Sequence, residues 1–345
     1  MKGRWAAVWQ RHGDTLLLAG AALALAVGFL RPVLPWKRAL VDQVVVIDIT
    51  QSMNVPDQRL NGQPISRLAF AKHQLRYTLS ELPCGSKVGW ALFTEHRSFL
   101  LFAPVEVCAH LDELRSALDG IDNRMAWIGA SEVAKGLYSG LSIARQLPGK
   151  PAFVFVTDGH ESPPLNPRHR PRFDLKPGEV AGLVVGVGGL VPTAIPKTDP
   201  LGRSLGPWTQ TDVLQVDPRS QGRGGSVDGE RMVEQGDDAA APGPAPAPAI
   251  ALGATPGSEH LSSLRESYLE LLAGEAGLSY HRLLDTAGLA AAMQTPALTR
   301  AVPVRADLRV PLAALAVLLL LMRQVRQGLL RAAWQRWRAA RTRPA

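Results

Sequence analysis

The chain has 345 residues, 46% of them apolar and 20% charged, enough for a hydrophobic core in one large domain or two small ones. Its net charge of +8 sits at the ends: residues 1–14 carry +2, and residues 323–345 carry seven arginines and no acid, leaving −1 for everything between. A nearly neutral body with basic tips argues against a nucleic-acid-binding domain.

The first element is "TLLLAGAALALAVGFL" (15–30), sixteen residues without a charge. At about 1.5 Å per residue it comes close to crossing a bilayer core of about 30 Å. We read residues 1–35 as a retained membrane anchor. A cleaved signal peptide is the alternative, but its small-residue sites at 22–24 and 24–26 lie inside the apolar run. A buried core helix is the third reading.

After a Pro-containing connector, "RPVLPWKR" (31–38), the run "QVVVIDI" (43–49) reads as a fully buried strand. "RLAFAKHQLRYTLSEL" (67–82) has helical apolar spacing. "KVGWALF" and "SFLLFA" form a hairpin with its turn at 95–97. Cys84 and Cys108 are equidistant from its centre at His96, so they are expected to face each other and pair, which suits an oxidising compartment. Two unpaired small apolar residues are the alternative.

Helices are expected at 108–121 and 131–147, the second with Ser131 as N-cap and Glu132 in its first turn. "PAFVFVTDG" (151–159) and "VAGLVVGVGG" (180–189) read as further buried strands. The expected fold is α/β: a three-layer sandwich with a mainly parallel central sheet and one antiparallel edge strand, flanked by transmembrane helices.

Residues 219–259 are rich in Gly, Pro and Ala and are expected to be a disordered insertion. Order is expected to resume with a helix over 260–277, a strand at "LSYHRLL" and a helix over 286–298. "VPLAALAVLLLLM" (310–322) is short for a span, but 308–330 crosses if its flanking arginines snorkel. The tail 331–345 interleaves Trp334 and Trp337 with arginines, as on an anionic membrane face. Positive-inside reasoning places both ends in the cytoplasm and the intervening body in the periplasm.

Two strong strands end in an aspartate, Asp48 and Asp158, where ligand sites gather in parallel sheets. A buried carboxylate needs compensation. Thr50 and Ser52 follow Asp48 at two-residue steps, so a roughly extended exit points their oxygens the same way. Ser131 adds a further hydroxyl. Two carboxylates and three hydroxyls suit Mg2+, Ca2+ or Mn2+ rather than zinc. A domain that binds no metal, with Asp48 satisfied by loop amides, is the bland alternative.

These motifs resemble the von Willebrand factor type A domain. Its metal-ion-dependent adhesion site reads Asp-x-Ser-x-Ser, then a Thr, then an Asp in a TDG-like loop. Here "DITQS" supplies Asp48, Thr50 and Ser52, "IGASEVAKGL" places Ser131 at the threonine position, and "VTDG" supplies Asp158. The resemblance covers residues 40–300 and implies a non-catalytic domain. A divalent cation there keeps a position open for an Asp or Glu of a partner protein.

"DITQSMNV", "MAWIGASEVAKGL", "TDGHESPPLNP" and "IPKTDPLGRSLGPW" are similar to MxaL-type proteins of bacterial methanol-oxidation clusters. That implies a periplasmic quinoprotein dehydrogenase, or its assembly proteins, as partner. A MoxR-type AAA+ ATPase is the alternative partner, in stress or envelope assembly.

A metal-dependent phosphohydrolase with an aspartyl nucleophile needs a second carboxylate where Thr50 stands. "GVGGLV" (186–191) lacks the third glycine of a dinucleotide fingerprint. No Gly-x-Ser-x-Gly elbow exists, so no catalytic residue is assigned. His160 and Glu161 read as solvated rim groups able to touch a partner. Trp127 reads equally as a partner contact or as core.

Overall fold

The computed structural model describes residues 2–126, 130–163, 176–199, 202–213 and 258–341. They form two compact bodies, one of Met1–Arg38 with Ala301–Ala345 and one of Ala39–Arg300.

Helix α1 (Lys2–Phe29) leads into strand β1 (Val33–Asp48). The small hairpin β2 (Gln58–Leu60) and β3 (Gln63–Ile65) precedes helix α2 (Arg67–Glu81). Strands β4 (Lys87–Thr94) and β5 (Arg97–Glu106) follow, then helices α3 (Leu111–Gly120) and α4 (Val133–Gln146). Strand β6 (Ala152–Thr157) and strand β7 (Gly182–Gly186) complete the middle of the sheet.

Short pieces come next: β8 (Thr193–Ala194), β9 (Pro196–Thr198), β10 (Ser204–Pro207), α5 (Gln210–Val213) and β11 (Leu261–Ser262). The chain ends with α6 (Glu266–Ala276), β12 (Ser279–Arg282), α7 (Thr286–Met293), β13 (Thr299–Asp307) and α8 (Arg309–Arg341).

The main sheet runs β12-β7-β6-β1-β4-β5, with β13 also pairing β1. Strands β12, β7, β6, β1 and β4 are mutually parallel, and β5 is antiparallel to β4 at the edge. This is the expected three-layer α/β sandwich. The central strands are apolar at every step because both faces are covered. In β1, Val45 and Ile47 join the core under α2, α3 and α7. Val44 and Val46 face the other core, formed with α4 and α6. The two-residue period of a strand splits one apolar run between two cores.

The hairpin and its crosslink are as expected: β4 and β5 pair antiparallel, and Cys84 is bonded to Cys108 with their Cα atoms 5.3 Å apart. Other boundaries differ. Strand β1 begins at Val33, so most of the expected connector is strand. The helix expected from 260 begins only at Glu266, because Leu261 and Ser262 pair with β8 instead. Thr299–Asp307, between the expected domain and the second span, is a strand. Helices α1 and α8 contain the segments His12–Phe29 and Arg309–Gly328, each long and apolar enough to cross a membrane. They meet through Ala21, Ala24 and Ala316, whose small side chains allow close approach. Of the insertion expected at 219–259, residues 219–257 lie outside the described residues.

Candidate metal centre at the strand ends

Asp48 is the last residue of β1 and is completely buried. Its Oδ1 accepts the backbone N–H of Thr50 at 2.8 Å and the Thr50 hydroxyl at 2.6 Å. Its Oδ2 accepts the hydroxyl of Thr157, the last residue of neighbouring β6, at 2.6 Å. Burial first, and then the charge of Asp158, push the Asp48 carboxyl above its ordinary range. These three donors pull the other way without cancelling the rise. Among the described residues Asp48 has no ion-pair partner.

Asp158, one residue beyond β6, is equally buried but differently compensated. Its Oδ1 accepts from the Ser52 hydroxyl at 3.1 Å and from the His160 amide at 2.9 Å. Its Oδ2 accepts from the Ser262 hydroxyl at 3.1 Å and from the guanidinium of Arg67. Gly159, at φ +77°, makes the turn directly after it. A Cβ there would also lie 3.0 Å from Leu269 and 3.1 Å from Arg265.

Arg67 opens α2 and exposes none of its side chain. Besides Asp158 it donates to Asp57 through Nε at 3.0 Å and Nη2 at 2.6 Å. It also reaches the Ser262 hydroxyl at 2.7 Å and the Ser262 carbonyl at 3.1 Å. Burial acts to lower the Arg67 pKa, but the two carboxylates outweigh it and hold the guanidinium charged. Gly188, at φ +139°, leaves room for this group: a Cβ there would lie 2.8 Å from Arg67 Nε. Sequence reasoning missed Arg67, Asp57, Thr157 and Ser262.

The hydroxyls come together by a different route from the one expected. The chain leaves β1 with Thr50 extended and then tightens into a 3-10 turn over Gln51–Asn54, rather than running out as an arc. Thr50 Oγ1 and Ser52 Oγ still lie 3.3 Å apart. Ser131 is held by backbone bonds on both sides. Its amide donates to the Ser162 carbonyl at 2.7 Å, and the Glu132 amide donates to the Glu95 carbonyl at 2.6 Å. The Ser131 hydroxyl is buried and has no hydrogen-bond partner among the described residues. Thr50, Ser52 and Ser131 line one cavity of about 280 Å³, walled further by His160, Ile195, Trp208, Asp212 and Glu259.

Three expectations need correction. Ser131 does not cap α4: the helix starts at Val133, and its Ala134 amide donates to the Glu161 carboxylate at 3.0 Å. Glu161 is therefore no rim group. It is buried, accepts the Tyr268 hydroxyl at 2.5 Å, and burial raises its pKa to about 7. His160 is also buried, with burial lowering its pKa, and lines the cavity. Both had looked exposed because they follow a loop motif, but Tyr268 of α6 and the Ala134 amide of α4 bind Glu161 from either side. Trp127 lies outside the described residues.

The donor set is two carboxylates and three hydroxyls. Among the described residues no group of three or more His, Cys, Asp or Glu side chains is placed to hold a metal ion, so a cation here would depend on the hydroxyls beside the two carboxylates. A hard divalent cation fits this set: all donors are oxygen, the Ser131 hydroxyl is unpartnered among the described residues, and two carboxylates repel across the site.

Fold and site together define a three-layer α/β protein with an oxygen-lined pocket at the carboxyl ends of its central strands. No protein-family model matches the chain, and no curated protein does. Solved structures similar to it include an aerotolerance-related membrane protein from Bacteroides fragilis NCTC 9343, carrying multiple mutations to serine. It is 15% identical, with TM-score 0.45 over 74% of this chain and 98% of that one. Another is the conserved hypothetical protein BatB from Bacteroides thetaiotaomicron, 15% identical, with TM-score 0.43 over 74% and 95%. A third is the ArnB paralog VWA2 from Sulfolobus acidocaldarius, 14% identical, with TM-score 0.29 over 45% and 37%.

Proposed function

We propose that this chain is a membrane-anchored von Willebrand type A protein that binds a divalent cation and uses it to dock a partner protein. The observation that carries this reading is Asp48. It is fully buried, lacks a cationic partner among the described residues and faces a second carboxylate, beside hydroxyls that line a cavity. Burying such a charge uncompensated costs several kcal/mol. Mg2+, Mn2+ or Ca2+ held by Asp48, Thr50, Ser52, Ser131 and Asp158 would remove that cost and offer a position to an Asp or Glu from outside. Arg67 fixes Asp158 in place through its guanidinium, and Thr157 orients Asp48.

The apolar segments His12–Phe29 and Arg309–Gly328 anchor the protein in this reading, with both termini cytoplasmic and Ala39–Arg300 in the periplasm. The Cys84–Cys108 bond agrees with an oxidising compartment. For the partner, the sequence resemblance favours a periplasmic quinoprotein dehydrogenase or its assembly proteins.

The test immobilises the full chain in detergent and adds a purified quinoprotein dehydrogenase with Mg2+ or with EDTA. The expected result is retention with Mg2+, release by EDTA and no retention by Asp48→Ala. Retention that is indifferent to EDTA and to Asp48→Ala contradicts metal-gated docking.

A further inference from the structure

Helix α1 turns one stripe towards α8. Gly13, Leu17, Ala21 and Ala24 are buried, at the spacing of a single helical face. Ala316 meets Ala21 and Ala24, Leu319 lies 3.3 Å from where a Cβ on Gly20 would stand, and Arg326 reaches Asp14. Contacts rise along α8 as they fall along α1, so the two helices pack antiparallel.

At the last of these contacts the interface stops being apolar. Asp14 lies two residues inside the apolar segment His12–Phe29, and Arg326 two residues inside Arg309–Gly328. Asp14 Oδ1 is 3.2 Å from Arg326 Nη1, and Gln327 Nε2 donates to Asp14 Oδ2 at 3.5 Å. Consecutive residues of α8 thus engage both oxygens of one carboxylate. The Arg326 side chain is only 17% exposed, because it folds against α1 rather than snorkelling outward. A Cβ on Gly13 would overlap its guanidinium, so the missing side chain there is what makes room.

An arginine inside an apolar segment is costly unless it is paired. The purely apolar run 310–322 covers only about 20 Å of a bilayer core of about 30 Å. Helix α8 therefore needs the residues after it, Arg326 among them, to complete a span.

We propose that Gly13 and Asp14 form a notch for Arg326, a polar clamp that holds α8 to α1 and completes the shorter span. The inference rests on the membrane-anchor reading above and adds what the first helix is for. Helix α1 is a working part of the mature chain, since removing it takes away the carboxylate with which Arg326 pairs.

The test places Gly20→Cys and Leu319→Cys in the full chain and oxidises isolated membranes with copper phenanthroline. Loop closure between the two new thiols is followed by gel mobility. Crosslinking is expected to be rapid in that background and to slow at least about fivefold when Asp14→Leu or Gly13→Leu is added. Asp14→Arg combined with Arg326→Asp is expected to restore the rate, which loss of packing alone would not allow. Leu18→Ala, on a side of α1 that is 41% exposed, is expected to leave it unchanged. The intact mass of the mature chain is expected to include residues 1–35. An unchanged rate in Asp14→Leu, a charge swap that restores nothing, or a mature chain lacking residues 1–35 overturns the clamp, while resistance to an alkaline carbonate wash keeps the membrane anchor standing. Release of the unaltered chain by carbonate overturns both.

Discussion

Arg67 donates to two carboxylates and a serine while exposing none of its side chain, so its removal strands both Asp158 and Asp57. Arg67→Met is expected to cost about 3–5 kcal/mol, the usual penalty for removing one partner of a buried pair, measured by urea unfolding. A loss below about 1 kcal/mol would show that the pair is not held as described. Glu161 supplies a pH test. Its folded pKa, about 7, lies above its ordinary value, so protonated Glu161 favours the folded state. Its contribution is complete below about pH 4.5, fades as pH rises towards 7 and is gone above it. Glu161→Gln should lack that decline, and the two stability curves should diverge by roughly 3 kcal/mol between those limits. Parallel curves would contradict the assignment. Asp48, Thr50, Ser52 and Asp158 were legible in the sequence because each follows a buried strand within a few residues. Arg67 and Ser262 were not: they reach Asp158 across 91 and 104 residues, and no local pattern encodes such a meeting.

Elements with a strong local pattern were legible: the apolar runs of β1, β6 and β7, the hairpin β4–β5 and the helix α2. Boundaries failed where a tertiary partner overrode local preference. The residues before Glu266 have helical composition, yet Leu261 and Ser262 are drawn into pairing with β8. Pro35 disguises the start of β1, and a proline is tolerated there because this part of the strand is exposed. The site inherits its shape from these elements, since β11 is what brings Ser262 to Asp158. The hairpin carries its own prediction. Cys84–Cys108 closes a separation of 24 residues, so replacing both by serine should cost about 3 kcal/mol by loop-closure entropy, read as a lowered melting temperature. The same substitution should leave cation binding unchanged, because the crosslink joins the exposed ends of β4 and β5. A loss of cation binding at unchanged fold would mean that the crosslink helps to shape the site.

At the scale of the whole molecule, a neutral body carries apolar helices and arginines at its two ends. The chain should therefore stay with membranes through an alkaline carbonate wash and leave them only with detergent; release by carbonate would contradict the anchors. Compensation of Asp48 by a divalent cation is read by melting the full chain in detergent with and without Mg2+, Mn2+ or Ca2+. At about a hundred times its dissociation constant, a cation bound only by the folded state adds about 2.7 kcal/mol. In a body of this size that raises the melting temperature by roughly 5–10 °C. That rise is expected with at least one of the three cations and is expected to vanish in Asp48→Asn. An unchanged melting temperature with all three would rule out a cation at Asp48.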